Sequence, residues 1–389
     1  MKKVLVFGST GSIGRSSLDV IRKARADFKV LGLCVNRDIK NLKKQIEEFS
    51  PSYVCVVDSG CADKLAASLD KRIKLFRGES GLQEFSSLNS DISIMGISGI
   101  SCLRPLLINL EHTARIALAN KEAIVGAGSF VFMKAKKFGV EIIPVDSEIN
   151  ALFQLVNAIK DDFLKVYITA SGGPLLNCKK KDLKDVGVKE VLLHPTWKMG
   201  RRITVDSATF VNKAFEVIEV NRFFRIPYER IGVLIHKESA IHALVELKDN
   251  NIFACFYPPD MKMPISFALY YPLRSNSLAE KGVRQNFSLS LEPFNYKKHP
   301  LFEMVLDAAR KDDNSLAILN ASDEVAINYF LAGKIKFTHI RKVMEYIFTH
   351  YPSQGLKKVE DVFYWDTWAR KKTEEYIEKE VHSVLRTNN

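Results

Sequence analysis

The sequence predicts an α/β fold in three parts: a parallel-sheet domain first, an α+β domain next and a helical bundle last. Three observations predict it. Short apolar runs alternate with helical patterns through the first half of the chain, the spacing of βαβ units around a parallel sheet. After Asp146 the texture changes to mixed helices and strands able to pair antiparallel. From Leu301 onward the pattern is helical, which suggests a small bundle.

Each element follows from local pattern. Val4–Phe7, Lys29–Val35, Tyr53–Val57, Asp91–Met95, Thr113–Leu118 and Val140–Val145 read as strands. Asp19–Ala24, Leu42–Phe49, Ala62–Leu69 and Ser129–Phe138 read as the helices between them. Asn150–Ile159 is helical, and the strand Leu164–Ala170 runs into the breaker Ser171-Gly172-Gly173-Pro174. Val211–Val220 is a helix. Val233–Ile235, Ala243–Leu247 and Ile252–Phe256 are strands that can pair antiparallel. Phe287 to Pro300 is irregular. Helices are expected around Met304–Arg310, Ser315–Leu331, Phe337–His350 and Val359–Val384. The expected domains are therefore 1–146, 147–286 and 301–389, with 287–300 as a linker.

The composition limits the partners. A formal charge of +12 over 389 residues admits nucleic acid, an anionic membrane or phosphorylated small molecules. The basic residues are scattered in short clusters, at Arg22–Arg25, Lys179–Lys184, Lys198–Arg202 and Arg370–Lys372. None is a long arm or is interleaved with aromatics as a base-stacking platform would be. We expect neither a nucleic-acid nor a membrane partner. No apolar run reaches the roughly 18–20 residues of a membrane span. Six cysteines without framework spacing fit reduced thiols and a cytoplasmic location. Met-Lys-Lys leads directly into a strand, with no signal-peptide pattern.

After the first strand comes Gly8-Ser9-Thr10-Gly11-Ser12-Ile13-Gly14. Glycines there permit a tight turn and let backbone N–H groups at a helix start approach a pyrophosphate. The strand before and the helix after make this a Rossmann-like dinucleotide site. The second strand ends not in an acidic residue but in Val35-Asn36-Arg37-Asp38. Arg37 suits a ribose 2′-phosphate, which favours NADPH; Asp38 is the competing candidate for a 2′-hydroxyl.

Asp146-Ser147-Glu148 follows the Val140–Val145 run at its carboxyl end. In extended backbone, residues two apart point the same way, and paired carboxylates at a strand end invite a cation. A third carboxylate is available from Asn212-Lys213-Ala214-Phe215-Glu216-Val217-Ile218-Glu219, where Asn212, Glu216 and Glu219 share a helical face. Spacing does not separate Glu216 from Glu219. An all-oxygen set suits Mg²⁺ or Mn²⁺. His194-Pro195-Thr196-Trp197-Lys198-Met199-Gly200-Arg201-Arg202 joins a breaker, a large aromatic, a hinge-capable glycine and three cations. Such a segment can close over an anionic substrate. Ser171, Ser207, Asn212 and Lys213 are donors that can surround a phosphate.

GSTGSIG, LANKEAIV, VDSEINALFQ, ASGGP, HPTWKMGRRITVDSAT, NKAFEVIE and HKESAIHALV occur in this order. Together they resemble the 1-deoxy-D-xylulose 5-phosphate reductoisomerase family from Lys3 to about Tyr271, and more weakly over residues 318–337. The resemblance implies an NADPH domain, a catalytic domain and a C-terminal helical bundle, usually in a homodimer. It implies that Asp146, Glu148 and Glu216 are the metal ligands, which selects Glu216 over Glu219. It assigns Ser171, Ser207, Asn212 and Lys213 to the substrate phosphate, and Lys121, Ser147 and His194 to the substrate lining, with Lys121 catalytic. Trp197 and Met199 fall on the lid. Gly8, Thr10, Gly11, Ser12 and Ile13 fall at the cofactor pyrophosphate, and Asn120 and Glu122 near its ribose. Many relatives carry a glycine followed by basic or polar residues after the second strand; Cys34-Val35-Asn36-Arg37 lacks that glycine, a departure that bears on the adenine-ribose contacts. The implied reaction rearranges and reduces 1-deoxy-D-xylulose 5-phosphate to 2-C-methyl-D-erythritol 4-phosphate. Two other readings differ in what they require. A simple NADPH-linked dehydrogenase of a small phosphorylated aldehyde needs no carboxylate triad, and a non-catalytic NADPH-binding regulator needs no lid.

Overall fold

The computed structural model describes residues 1–159, 163–176, 178, 182–197, 199–276, 278 and 288–387. Lys179, Lys180, Lys181 and Lys198 of the basic clusters, and Phe287 of the expected linker, lie outside them. The strands are β1 (Lys2–Phe7), β2 (Phe28–Val35), β3 (Tyr53–Val56), β4 (Lys74–Arg77), β5 (Ser90–Met95), β6 (Thr113–Leu118), β7 (Glu141–Pro144), β8 (Phe163–Ala170), β9 (Ile231–Ile235), β10 (Ile241–Leu247), β11 (Ile252–Phe256) and β12 (Glu292–Pro293). Helices α1 (Ser12–Lys23), α2 (Ile39–Phe49), α3 (Ser59–Ala66), α4 (Gly78–Ser86), α5 (Leu103–Asn109), α6 (Glu122–Phe138), α7 (Ser147–Ile159), α8 (Val188–Val191), α9 (Arg201–Thr209), α10 (Val211–Phe224), α11 (Lys262–Tyr270), α12 (Pro300–Lys311), α13 (Ser315–Leu331), α14 (Phe337–His350) and α15 (Val359–Thr387) complete the chain order. Contacts divide the chain into two units. The first is Met1–Asn120, Val131–Lys160 and Cys255–Ser288; the second is Lys121–Phe130, Asp161–Ala254 and Leu289–Asn389.

The first unit is built on a seven-stranded sheet in the order β4-β3-β2-β1-β5-β6-β7. Every neighbouring pair is parallel. Val4, Leu5, Val6 and Phe7 are all fully buried, because a parallel sheet is covered on both faces. That explains why these strands read as continuous apolar runs rather than alternating ones. One face packs Val4, Val6, Val30 and Ile94 with Leu18 and Ile21 of α1 and with Ile265, Ala268 and Leu269 of α11. On the other, the Phe7 ring meets Phe85 of α4 edge-on at 5.2 Å. Each such buried side chain contributes about 1.5–3 kcal/mol. The chain runs outward from β1 to β4 and then returns to place β5 beside β1. Ligands of open α/β sheets bind at such a reversal, at the carboxyl ends of the strands.

The second unit contains a five-stranded sheet in the order β11-β10-β8-β9-β12. The antiparallel pairing expected among residues 233–256 is only partly realised. β10 runs antiparallel to β8 (Ala243↔Ile168), but β9 runs parallel to β8 (Val166↔Ile231), so β8 separates β9 from β10. β8, of eight residues, is long enough to pair on both sides. The helical C-terminal pattern is observed as α12 to α15, and α13 packs against the other three. Its buried residues lie on all sides, from Leu316 to Phe330, as expected for the central helix of a bundle. The segment before it is not wholly irregular: β12 pairs antiparallel with β9.

Candidate active site

In the first unit, β1 leads into a loop that turns at Gly8 (φ +76°). Gly8 and Ser9 N–H groups both donate to Cys34 O at 2.9 Å, pinning the loop to the end of β2. Gly14 is required by close approach: a Cβ there would lie 2.3 Å from Gly8 O. Ser9 is held by reciprocal bonds with the Gln45 amide (2.7 and 2.9 Å), and Arg15 braces Thr10 O at 2.6 Å. Gly11 is the N-cap of α1 and supplies no side-chain cap. The N–H groups of Ser12 and Ile13 therefore start a helix at the β1/β5 reversal, the geometry that receives a phosphate.

Farther along the same sheet edge, Asn36 and Arg37 follow β2. Arg37 Nε pairs with Asp58 Oδ2 at 2.9 Å while the side chain stays 76% exposed. Asp38 caps α2, accepting from Asn41 N at 3.1 Å. Asn120 is buried, and its amide donates to Ile97 O and Gly99 O at 3.0 and 2.9 Å.

Asp146, Ser147 and Glu148 follow β7, but not in the extended backbone that their spacing predicts. β7 ends at Pro144 and α7 begins at Ser147. Asp146 Oδ1 accepts from the N–H groups of Glu148 (3.2 Å) and Ile149 (3.3 Å). The carboxylate is an N-cap, and Glu148 stands on the first helical turn, where negative charge is favoured. Ser147 Oγ donates to Glu148 Oε2, and Tyr257 OH donates to Ser147 O at 2.7 Å. Burial, helped by the charges of Cys255, Glu148 and Asp146, raises the Tyr257 hydroxyl well above its usual range. It remains a donor.

The second unit gathers Lys121, Asn212, Lys213 and Glu216. Lys121 Nζ donates to Glu216 Oε1 at 2.8 Å, and Asn212 Nδ2 to the same oxygen at 2.6 Å. Lys213 Nζ donates to Glu216 Oε2 and to Thr169 O. Glu216 is 1% exposed, and the two lysines are 6% and 5% exposed. A buried charge survives only when paired and hydrogen-bonded, and here one carboxylate answers two ammonium groups. Sequence spacing joined Asn212, Lys213 and Glu216 on α10. It carried no sign of Lys121, which is 95 residues away from Glu216.

The breaker after β8 sits against this cluster's helix pair. Gly172 and Gly173 adopt φ +92° and +68°, and a Cβ on Gly173 would lie 2.7 Å from Ser207 O. The Ser171 turn therefore rests against α9, which carries Ser207. His194 Nδ1 accepts from the N–H groups of Thr196 (3.2 Å) and Trp197 (2.9 Å). That leaves its proton on Nε2, which faces Ser171 Oγ at 3.2 Å. Burial lowers the His194 pKa, consistent with a neutral ring. The Trp197 ring lies 6.1 Å from that of His242, which is 1% exposed and was not singled out by pattern. Met199 lies two residues on, half-buried. Arg202, read as a lid cation, is instead ion-paired with Glu122 (3.1 Å) and Glu324 (2.9 Å). Its charge is used within the fold.

Family models described as 1-deoxy-D-xylulose 5-phosphate reductoisomerase match residues 4–128, its C-terminal domain residues 142–224, and a further DXP reductoisomerase C-terminal domain residues 257–372. The chain belongs to the 1-deoxy-D-xylulose 5-phosphate reductoisomerase family. The family protein of Thermodesulfovibrio yellowstonii is 40% identical over 97% of this chain and 100% of its own length. That of Sulfurihydrogenibium sp. is 40% identical over 94% and 95%. Among solved structures, a family enzyme in complex with NADPH, fosmidomycin and magnesium superposes with a TM-score of 0.90 at 32% identity, covering 97% of this chain and 98% of that one. The Zymomonas mobilis enzyme in complex with NADPH gives 0.87 at 31%, covering 97% and 99%.

Proposed function

We infer that the chain rearranges and reduces 1-deoxy-D-xylulose 5-phosphate to 2-C-methyl-D-erythritol 4-phosphate, on the route to isoprenoids, with NADPH and a divalent metal ion. The observation that carries the reading is the buried Glu216 carboxylate shared by Lys121, Lys213 and Asn212. A plain aldehyde reduction has no need of it. Asp146, Glu148 and Glu216 are the metal ligands in this reading. All three offer carboxylate oxygens, the donors that suit Mg²⁺ or Mn²⁺. The bound ion supplies Lewis-acid stabilisation of oxygen charge as the carbon skeleton rearranges.

The remaining steps fall to the chain. Lys121 holds positive charge where an alkoxide or enolate develops and handles a proton there. Ser171, Ser207, Asn212 and Lys213 bind the substrate phosphate, whose binding energy orients the distant reacting carbons. His194, through Nε2–H, fixes the Ser171 hydroxyl. Ser147 lines the substrate beside Glu148, and Trp197 and Met199 cover it and exclude water. Gly8, Thr10, Gly11, Ser12 and Ile13 receive the NADPH pyrophosphate. Asn36 and Arg37 meet its adenosine end, and Asn120 and Glu122 its ribose.

In this reading residues 1–146 bind the cofactor, 147–286 carry the chemistry, 287–300 link and 301–389 form the helical support. We propose a homodimer through β11, the outermost strand of its sheet among the described residues, where Ile252 and Phe253 are 59% and 47% exposed; an apolar edge strand invites a second strand. Six free cysteines support a cytoplasmic location. The deciding experiment follows NADPH oxidation with 1-deoxy-D-xylulose 5-phosphate and Mg²⁺ or Mn²⁺, before and after chelation. Turnover abolished by EDTA and restored by either ion is expected. Undiminished turnover in EDTA would point to a simple dehydrogenase of a phosphorylated aldehyde.

A further inference from the structure

Ser207 lies near the end of α9, Asn212 and Lys213 lie at the start of α10, and one residue, Phe210, joins the two helices. It is at once the C-cap of α9 and the N-cap of α10, with φ +64° and ψ 9°. In this left-handed region the Cβ of an ordinary residue crowds its own backbone, so glycine or asparagine is the usual occupant and a bulky residue is an outlier. Of the non-glycine residues that adopt positive φ among the described residues, Phe210 alone is aromatic. It gives α10 no side-chain cap. What a phenylalanine adds over a glycine at this turn is its ring.

That ring is 4% exposed. Its centre lies 4.1 Å from the ring of His299 and 5.1 Å from that of Phe294. Phe294 and His299 stack on each other at 4.8 Å, with planes 13° apart. Phe294 also lies 4.9 Å from Phe302 of α12, which is fully buried, and it follows β12, whose Pro293 pairs with Leu234 of β9. The three rings are thus tied to the five-stranded sheet on one side and, on the other, to α12, which packs against α10. Aromatic contacts of this spacing stabilise beyond the area they bury, which offsets the strain of the left-handed residue. The backbone around the turn is closed as well. Phe210 N–H donates to Ser207 O at 3.4 Å, and Phe210 O accepts from Ala214 N–H at 3.1 Å. Thr209 Oγ1 donates to Asp206 O at 3.1 Å and accepts from Val211 N–H at 3.4 Å. Rotation about φ or ψ at Phe210 would swing Ser207 against Asn212 and Lys213.

We propose that Phe210 is a positioning residue for the substrate phosphate: gripped by the rings of Phe294 and His299, it holds the left-handed turn that sets Ser207 of α9 against Asn212 and Lys213 of α10. It touches neither substrate nor cofactor and acts through those donors, so the proposal rests on their placing at the phosphate. A glycine at this position keeps the turn accessible but leaves it free to move, since nothing then ties it to α12 or to the sheet.

The test is a mutant cycle between Phe210→Gly and Ser207→Ala, read as the KM for the phosphosugar and as the Kd of inorganic phosphate by calorimetry on the NADPH-loaded protein. Phe210→Gly should raise both constants about tenfold, the scale for spoiling a hydrogen bond to a charged group, and leave the KM for NADPH unchanged. In the Ser207→Ala background it should add at most about twofold, because no hydroxyl remains to be misplaced. A residue that only stabilises the fold would add its full factor in both backgrounds, and that result, or wild-type constants in Phe210→Gly, would overturn the proposal. The grip is tested from the other side at about pH 8, where His299 is neutral. His299→Ala should reproduce Phe210→Gly, and His299→Phe, which keeps a ring, should stay within about twofold of the wild type. Should Phe210→Gly fail to fold, His299→Ala takes its place in the cycle. A Ser207→Ala chain with unchanged phosphate affinity would refute the placing of Ser207 at the phosphate, and the proposal with it. An effect of Ser207→Ala without one of Phe210→Gly would refute Phe210 alone. If the chain does not turn over the phosphosugar, the substrate reading fails while the phosphate titration still decides for or against Phe210.

Discussion

Replacing Glu216 by Gln tests the centre of the proposed site. The amide fills the same space and still accepts from Asn212 or one lysine, but it removes the negative charge between Lys121 and Lys213. Both ammonium groups are about as buried as the carboxylate, at 6%, 5% and 1% exposure, so water does not replace the lost partner. Breaking a buried ion pair from one side costs about 3–5 kcal/mol. At roughly 2–4 °C per kcal/mol for a unit of about 200 residues, Tm should fall by roughly 6–20 °C. Turnover should fall by at least about 100-fold, the scale for losing one preorganised charge at a reacting centre. NADPH binding should survive, because the β1–α1 loop belongs to the other unit. Thermal denaturation, fluorescence titration with NADPH and the oxidation assay read these three quantities. Lys213→Met added to Glu216→Gln removes one of the two ammonium groups that pair with the carboxylate and should recover part of the Tm without restoring turnover. A Glu216→Gln enzyme with a lowered Tm but full turnover at ordinary metal concentration would make Glu216 a structural ion-pair partner. Glu219, one turn on and 2% exposed, would then be the next candidate ligand.

Arg37→Ala should weaken NADPH more than NADH in titrations while leaving Tm nearly unchanged, because its pair with Asp58 is largely exposed; equal weakening of both cofactors would assign the 2′-phosphate elsewhere. His299 packs between Phe210 and Phe294, at 4.1 and 4.8 Å between ring centres, and burial lowers its pKa to about 4. Unfolded, it takes a proton near pH 6.5, so stability should be lost as pH falls from about 6.5 to about 4. Discounted for partial exposure, the loss is about 1–2 kcal/mol, and His299→Gln should flatten that part of the Tm profile. Trp197→Ala should speed release of a short phosphonate–hydroxamate chain in stopped-flow dissociation by about tenfold, with little change in association; unchanged release would remove Trp197 from the lid.

The glycine loop was legible because its chemistry is local: a strand, a turn and a helix start lie within a dozen residues. Asp146 and Glu148 were also legible, but their geometry was misread. An Asp just before an apolar helical run is a capping residue, so α7 rather than an extended β7 sets their directions. Asn212, Glu216 and Glu219 share a face of α10, with Lys213 beside it, and could be grouped by helical period. Lys121 could not, since its contact with Glu216 depends on how distant segments fold together. Arg202 and Arg37 show the opposite limit. A sequence counts cations but does not say which are already matched, and their partners at Glu324 and Asp58 lie 122 and 21 residues away. The same blindness to long-range pairing let β9 and β10 be read as neighbours, when β8 runs between them.

The interleaving of the two units has a consequence for synthesis. The face of the parallel sheet that α1 covers is completed by Ile265, Ala268 and Leu269 of α11. Arg115 of β6 donates to the carbonyls of Ala268 and Leu269, and Tyr270 donates to Asp27 at 2.5 Å across 243 residues. A ribosome therefore makes all seven strands of this sheet, and then most of the second sheet, before the helix that closes the first core emerges. Until then apolar surface stays open, and closure waits on contacts of very large sequence separation, which are slow to form. A fragment ending before residue 262 should accordingly be sticky and incomplete despite carrying the whole parallel sheet, whereas supplying residues 255–288 as a separate peptide should restore its fold.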